Sequence, residues 1–156
     1  MISRVLHINT QDEMEDFGNK LGKLLLPGDC LSLNGDLGSG KTTLTKAIGR
    51  GMGLTDSVSS PTFNLIHEYH GAVSMHHLDT YRLDNYQELS EIGFEEILNM
   101  PSVLVIEWAD RVQELLPDEI MRLEITNGSL GEERFITIEA NGRRYETLLE
   151  SIIGHN

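Results

Sequence analysis

The sequence predicts an α/β fold built on a mixed, partly antiparallel central sheet. Three observations carry that reading. Strand-like runs alternate with segments of helical periodicity through the first fifty residues. The run VLVIE, residues 103–107, is apolar at four consecutive positions, as in a strand covered on both faces. Two strand-like runs, 64–69 and 73–78, are separated by His70-Gly71 and read as an antiparallel hairpin.

The elements follow in order. Residues 5–8 read as a short first strand. Thr10 can cap a helix and Glu13 can close a capping box. Met14, Phe17, Leu21, Leu24 and Leu25 lie at helical spacing, and Pro27-Gly28 ends that helix. Residues 29–34 read as the second strand, followed by a glycine-rich loop and a helix to about Met52. YQELSEIGFEEIL reads as one or two short helices broken at Gly93. Further strands are expected near 121–125 and 135–139, and YETLLESII is a helical tail. No linker, low-complexity tract or internal repeat divides the 156 residues, so one domain, 1–156, is expected.

Composition narrows the function classes. The chain has 25 acidic and 12 basic residues, a net charge of −13. Nucleic-acid binders present a basic face, because phosphate contacts dominate their affinity. Direct, stable RNA or DNA binding is therefore not expected, and an acidic docking face for a basic protein partner is the sharper alternative to plain solvated surface. The single cysteine, Cys30, permits no internal disulfide, fits a reducing compartment and reads as a small core residue. No leader-like apolar segment opens the chain, and no stretch approaches the ~20 apolar residues of a membrane span. The expectation is a soluble, cytoplasmic protein with no membrane association.

The chemistry concentrates in NGDLGSGKTTLTK, residues 34–46. Gly35, four intervening residues and Gly40-Lys41-Thr42 match the P-loop pattern, with a strand before and a helix after. Backbone N–H groups of such a loop wrap a β-phosphate, and side chains at Gly38 or Gly40 would obstruct that approach. The helix start near Lys41 aims its N-terminal N–H groups at the phosphates. Ser39 belongs to the same loop. Lys41 reaches β- and γ-phosphate oxygens, Thr42 is placed to ligate magnesium, and Thr43 can bond the α-phosphate. Thr45 and Lys46 read as ordinary helix surface. A nucleoside triphosphate and Mg²⁺ are the expected ligands, and a P-loop NTPase-like three-layer sandwich is the expected architecture.

Such a loop needs an acid at the end of a neighbouring strand. Glu107 closes VLVIE and is assigned to the metal, directly or through water. Asp79 closes MHHLD and is assigned to the metal waters or the attacking water. In SSPTF, Thr62 is the choice for a hydroxyl that senses the γ-phosphate, with Ser60 second and a plain proline turn as the bland alternative. The histidines of HEYH and of MHH (His76 and His77) suggest zinc, but HEYHG falls one residue short of the HExxH spacing and sits on a strand, so zinc protease chemistry is set aside.

With the loop, SPTF, LDTYRL, SEIGFEE and VIEWADR placed in this order, the chain resembles the TsaE (formerly YjeE) family from about Thr10 to Tyr145. The resemblance implies a small ATPase of threonylcarbamoyladenosine synthesis, the modified adenine beside the anticodon of tRNA. It implies docking on a TsaB–TsaD pair, with hydrolysis needed for repeated turnover. By motif match, Lys41 and Thr42 are phosphate and magnesium residues, Glu107 the metal-site acid and Asp79 the second acid. Trp108 falls beside the nucleotide, and Thr10 and Arg134 fall at family-like positions near it.

Rival readings stay open at this level. A small-molecule kinase would need arginines on the transferred phosphoryl group, and Arg82 and Arg111 are the candidates. A nucleotide-gated binding module would need no hydrolysis. A GTPase is disfavoured, because no NKxD-type motif follows the last buried strand. SEIGFEE is a candidate docking patch or, equally, an amphipathic surface helix.

Overall fold

The computed structural model describes residues 1–36, 38–55, 66–80 and 93–153, without the side chains of Asp110 and Arg111. Ser60, Thr62, Arg82 and the first three residues of SEIGFEE lie outside the described residues, as does the side chain of Arg111. The strands are β1 (Ile2–Ile8), β2 (Cys30–Gly35), β3 (Ile66–Tyr69), β4 (Met75–Asp79), β5 (Val103–Glu107), β6 (Ile120–Asn127) and β7 (Arg134–Asn141). The helices are α1 (Gln11–Leu24), α2 (Lys41–Met52), α3 (Phe94–Leu98) and α4 (Arg143–Ile153), with a 3₁₀ helix over Ala109–Leu115.

One seven-stranded sheet runs β1-β7-β6-β2-β5-β4-β3. Its centre is parallel: β2 pairs with both β5 and β6, and β4 pairs with β5. Both flanks are antiparallel, β1-β7-β6 on one side and the β3–β4 hairpin on the other. The mixed sheet expected from the sequence is therefore the observed one. Every residue of β5 is buried, as its unbroken apolar run requires.

Helices form the outer layers. On one face, Met14, Phe17 and Leu21 of α1, Leu44 and Ile48 of α2, and Leu148, Leu149 and Ile152 of α4 share a core with Leu31, Leu33, Val103 and Val105 of the sheet. On the other, Phe94 and Ile97 of α3 and Val112 of the 3₁₀ helix pack with Cys30, Leu78, Leu104 and Ile106. Alternation along each strand divides these sets between the faces. Phe94 is thus a core residue and takes no part in a surface patch. No helix of the described residues is long and apolar enough to cross a membrane.

Two local details set up the site. Thr10 caps α1 as expected, its hydroxyl accepting from the Glu13 N–H at 3.2 Å. The Glu13 carboxylate accepts from the Asn9 side-chain amide at 3.4 Å, outside the reciprocal box. Helices α1 and α2 then meet through small residues. A Cβ at Gly22 would press on the Ile48 carbonyl, and one at Gly51 on the Asn19 carbonyl. This contact fixes where the N-terminus of α2, and hence Lys41, can sit.

Gly22→Ala is expected to cost about 1–3 kcal/mol by overpacking this contact. Lys46→Ala on the exposed face of α2 should stay within about 0.5 kcal/mol of the parent. Urea denaturation midpoints of the two variants check both.

Candidate functional site

Parallel register builds the site. Leu33 of β2 is level with Glu107 of β5, and Glu107 with Asp79 of β4. All three strands point the same way, so the two acids and the loop after β2 emerge at one edge. That is where open parallel sheets place their ligands.

The loop turns at glycine for stated reasons. Gly38 and Gly40 have φ of 78° and 110°, the left-handed region that side chains oppose. Gly40 is the N-cap of α2 and provides no side-chain cap. The first N–H groups of a helix lack intrahelical partners, so this N-terminus offers donors and a positive dipole end. At Gly35 the constraint is space: a Cβ there would meet Ser39 Oγ at 2.6 Å and the Ile125 carbonyl at 3.0 Å. Ser39 is buried, and its hydroxyl has no hydrogen-bond partner among the described residues. Asn34 Oδ1 accepts from the Ala109 N–H at 3.2 Å, tying the loop's start to the end of β5.

Lys41 is buried beside these groups. Its ammonium donates to the Gly35 carbonyl at 2.5 Å and sits 3.9 Å from the centre of the Trp108 ring. A cation over an indole face is attracted by the ring quadrupole. Burial pushes the Lys41 pKa below its ordinary value, while attraction to Glu107, Asp79 and Asp36 opposes that shift. The site thus holds a desolvated cation among three carboxylates.

Trp108 needs support for this position. Its φ of 61° is the only left-handed value at a non-glycine among the described residues. Thr80 braces it: one hydroxyl proton is shared between the Glu107 carbonyl at 2.9 Å and the Trp108 carbonyl at 2.5 Å. The Trp108 N–H donates to the Leu33 carbonyl at 3.3 Å.

Arg134 stands at the loop, but against its backbone. Its guanidinium donates to the carbonyls of Ser39 at 3.0 Å and Gly38 at 3.3 Å, and also to those of Gly131 and Glu133. With Thr10, Met14, Thr43 and Glu132 it lines a cavity of about 120 Å³ beside the loop. The structure therefore brings together Thr10, Gly35, Gly38, Ser39, Gly40, Lys41, Thr43 and Arg134 on the loop side. Thr42, exposed in the first turn of α2, and Asp79, Glu107 and Trp108 complete the edge.

One expectation is corrected. Thr45 is buried, not helix surface, and its hydroxyl donates to the Lys41 carbonyl at 2.9 Å. The helix satisfies that hydroxyl internally, so no apolar periodicity betrays its burial. Thr80 and His77, the latter 2.7 Å from Glu107, were not singled out from the sequence. Their positions beside Asp79 within HHLDT, Thr80 one residue after it and His77 two before, were the available signal.

The contact between Lys41 and Trp108 is open to test. Lys41→Met, which keeps the stem and removes the ammonium, is expected to raise emission from Trp108, the one tryptophan of the chain. Lys46→Met should leave it unchanged. Steady-state fluorescence of the nucleotide-free protein reads both.

Comparison with known proteins places the chain in a family. Residues 8–136 match the family model described as Threonylcarbamoyl adenosine biosynthesis protein TsaE. The chain is 42% identical over 131 residues to the tRNA threonylcarbamoyladenosine biosynthesis protein TsaE of Bacillus subtilis, covering 83% of this chain and 81% of that one. It is 36% identical over 148 residues to the protein of the same name from Streptomyces coelicolor, covering 90% of this chain and 99% of that one. The crystal structure of Bacillus subtilis YdiB superposes with a TM-score of 0.83 at 32% identity, over 99% of this chain and 96% of the other. On these matches, the chain belongs to the TsaE family of threonylcarbamoyl adenosine biosynthesis proteins.

Proposed function

We propose that the chain is a single-domain cytoplasmic ATPase that serves threonylcarbamoyladenosine formation on tRNA by docking on a TsaB–TsaD pair and permitting repeated turnover. The observation that carries this reading is the meeting of Lys41, Glu107 and Asp79 at the edge where the Gly38–Gly40 loop opens. The relatives named for tRNA threonylcarbamoyladenosine biosynthesis supply the pathway.

The residues suit a magnesium nucleotide. The bare N-terminus of α2, left-handed glycines and a buried cation form an anion cradle. Ser39 adds a buried hydroxyl that is unpaired among the described residues. Thr42 and Glu107 offer the oxygen ligands that a small hard cation takes when phosphates complete its shell. Bound Mg²⁺ would neutralise charge on the β- and γ-phosphate oxygens, held by Thr42 and by Glu107 directly or through water.

The chain's own groups do the rest. Lys41 leaves the Gly35 carbonyl and the Trp108 face for phosphate oxygens, where it offsets charge that develops at the γ-phosphate. It is already largely buried, so the move exchanges one set of partners for another. Asp79 orients the attacking water or the metal's waters, Thr43 bonds the α-phosphate, and Trp108 lies beside the nucleotide. Thr10 and Arg134 border the small cavity that would receive ribose or base. Thr62 senses the γ-phosphate.

Hydrolysis is slow in the isolated protein under this reading. Arg134, the arginine beside the loop, is spent on backbone carbonyls and supplies no charge to a transferring phosphoryl group. The partner complex provides what is missing. The protein acts on the modifying enzyme and not on tRNA, because a chain of net charge −13 repels a polyanion.

ATP hydrolysis should rise on adding a TsaB–TsaD pair and vanish with Lys41→Ala. Glu107→Ala should assemble with the pair but stall after the first round of modification. Turnover that appears only with added small-molecule acceptors would mark a kinase instead. Full multi-round modification by Glu107→Ala would leave a binding module without required hydrolysis.

A further inference from the structure

The two histidines of β4 point to opposite faces of the sheet. His76 bonds Ser102 and Glu68, at 2.9 Å each, on one side. His77 shares the other face with Asp79, because successive strand residues alternate. There its Nε2 lies 2.7 Å from Glu107 Oε2. The two side chains are 2% and 6% exposed, so this is an interior contact and not a surface pair.

The bond has a single sense. A carboxylate oxygen accepts, so Nε2 carries the hydrogen and donates. Nδ1 is buried with no hydrogen-bond partner among the described residues. A hydrogen there would be an unpaired buried donor. Among the described residues, the ring's one polar contact is therefore with Glu107. Glu107 is also one of the carboxylates whose charge favours the Lys41 ammonium. A carboxylate free to rotate would close on that cation, and both groups would be withdrawn from the site.

We propose that His77 is the positioning residue of Glu107: its Nε2–H holds Oε2, keeps the carboxylate from collapsing onto Lys41, and leaves Oε1 for the metal side of the site. This rests on the magnesium-nucleotide reading for its catalytic consequence, but the restraint itself exists without nucleotide. Partners of this kind, which orient a ligand from behind, typically contribute about 10–100-fold to metal affinity or activity.

Two substitutions separate reach from bulk. The amide of His77→Gln places an N–H where the imidazole Nε2 stands. His77→Asn is one methylene shorter and reaches only the Nδ1 position. Thermal melts establish that each variant folds. Trp108 emission is then read without nucleotide. In His77→Asn, Glu107 should draw Lys41 off the indole and raise the emission, while His77→Gln should match the parent. With ATP, His77→Asn should lower kcat by roughly 10–100-fold and raise the half-saturating Mg²⁺ about tenfold, leaving affinity for Mg²⁺-free ATP unchanged. His77→Gln should recover kcat to within about threefold. Parental emission and parental Mg²⁺ dependence in His77→Asn would overturn the proposal. So would equal losses in the two variants that extend to Mg²⁺-free binding, since those report packing alone. If the parent protein itself neither binds nor hydrolyses ATP, the nucleotide reading fails, and the emission comparison still decides the restraint.

Discussion

Everything at the site hangs on one row of backbone pairing. Leu33, Glu107 and Asp79 lie level across three parallel strands. Side chains in a strand alternate, so a slip of one residue in either pairing would send an acid to the opposite face. The register is in turn fixed by burial, because β5 is enclosed on both faces and cannot shift without exposing Val105 or Ile106. The hydrophobic layers therefore do more than stabilise the sheet. They determine which carboxylates meet the glycine loop.

The edge so formed is prepared electrostatically before any ligand arrives. Lys41 is kept in a dry position by a carbonyl, an indole face and three acids at longer range. Holding a cation in such surroundings requires opposing contacts, since burial alone disfavours the charge. Trp108 supplies one of them at the expense of an unfavourable backbone angle, and Thr80 spreads its hydroxyl over two carbonyls to hold that angle. Strain of this type persists where its surroundings over-determine it. Below, the close approach of α1 and α2 sets the height of the Lys41 backbone, so helix packing and charge placement are parts of one arrangement.

Much of this was legible in the sequence, for identifiable reasons. Gly35, Gly38, Gly40 and Lys41 stand out because their spacing is rare and their residue types are dictated by backbone conformation. VLVIE announces a doubly covered strand, and its final Glu107 becomes conspicuous by position. Strand ends were read less well: β1 starts at Ile2, three residues early, since its outer positions alternate without a clear polar contrast. The 3₁₀ helix over Ala109–Leu115 escaped notice because ADRVQEL has no sustained helical stripe. His77 was weighed only as part of a metal-binding pair with His76. What separates the two is the pleat, which sends one to Ser102 and the other to Glu107. Arg134 was placed near the nucleotide by resemblance alone, and no local pattern could have shown that its guanidinium would grasp the loop's carbonyls.

That grasp has a geometric corollary. A trans peptide unit is rigid, and its C=O and following N–H point in opposite directions. Arg134 pins the Ser39 carbonyl from the first residue of β7, so the N–H of Gly40 is turned the other way. The Gly38 carbonyl is pinned likewise, and the Ser39 N–H on the far side of that plane donates to Asp36 O at 3.0 Å. The loop's amides are thus aimed from outside the loop, by a strand in the antiparallel flank. The orientation of peptide planes at the cradle is written partly in β7, a strand that contributes no residue to the loop itself.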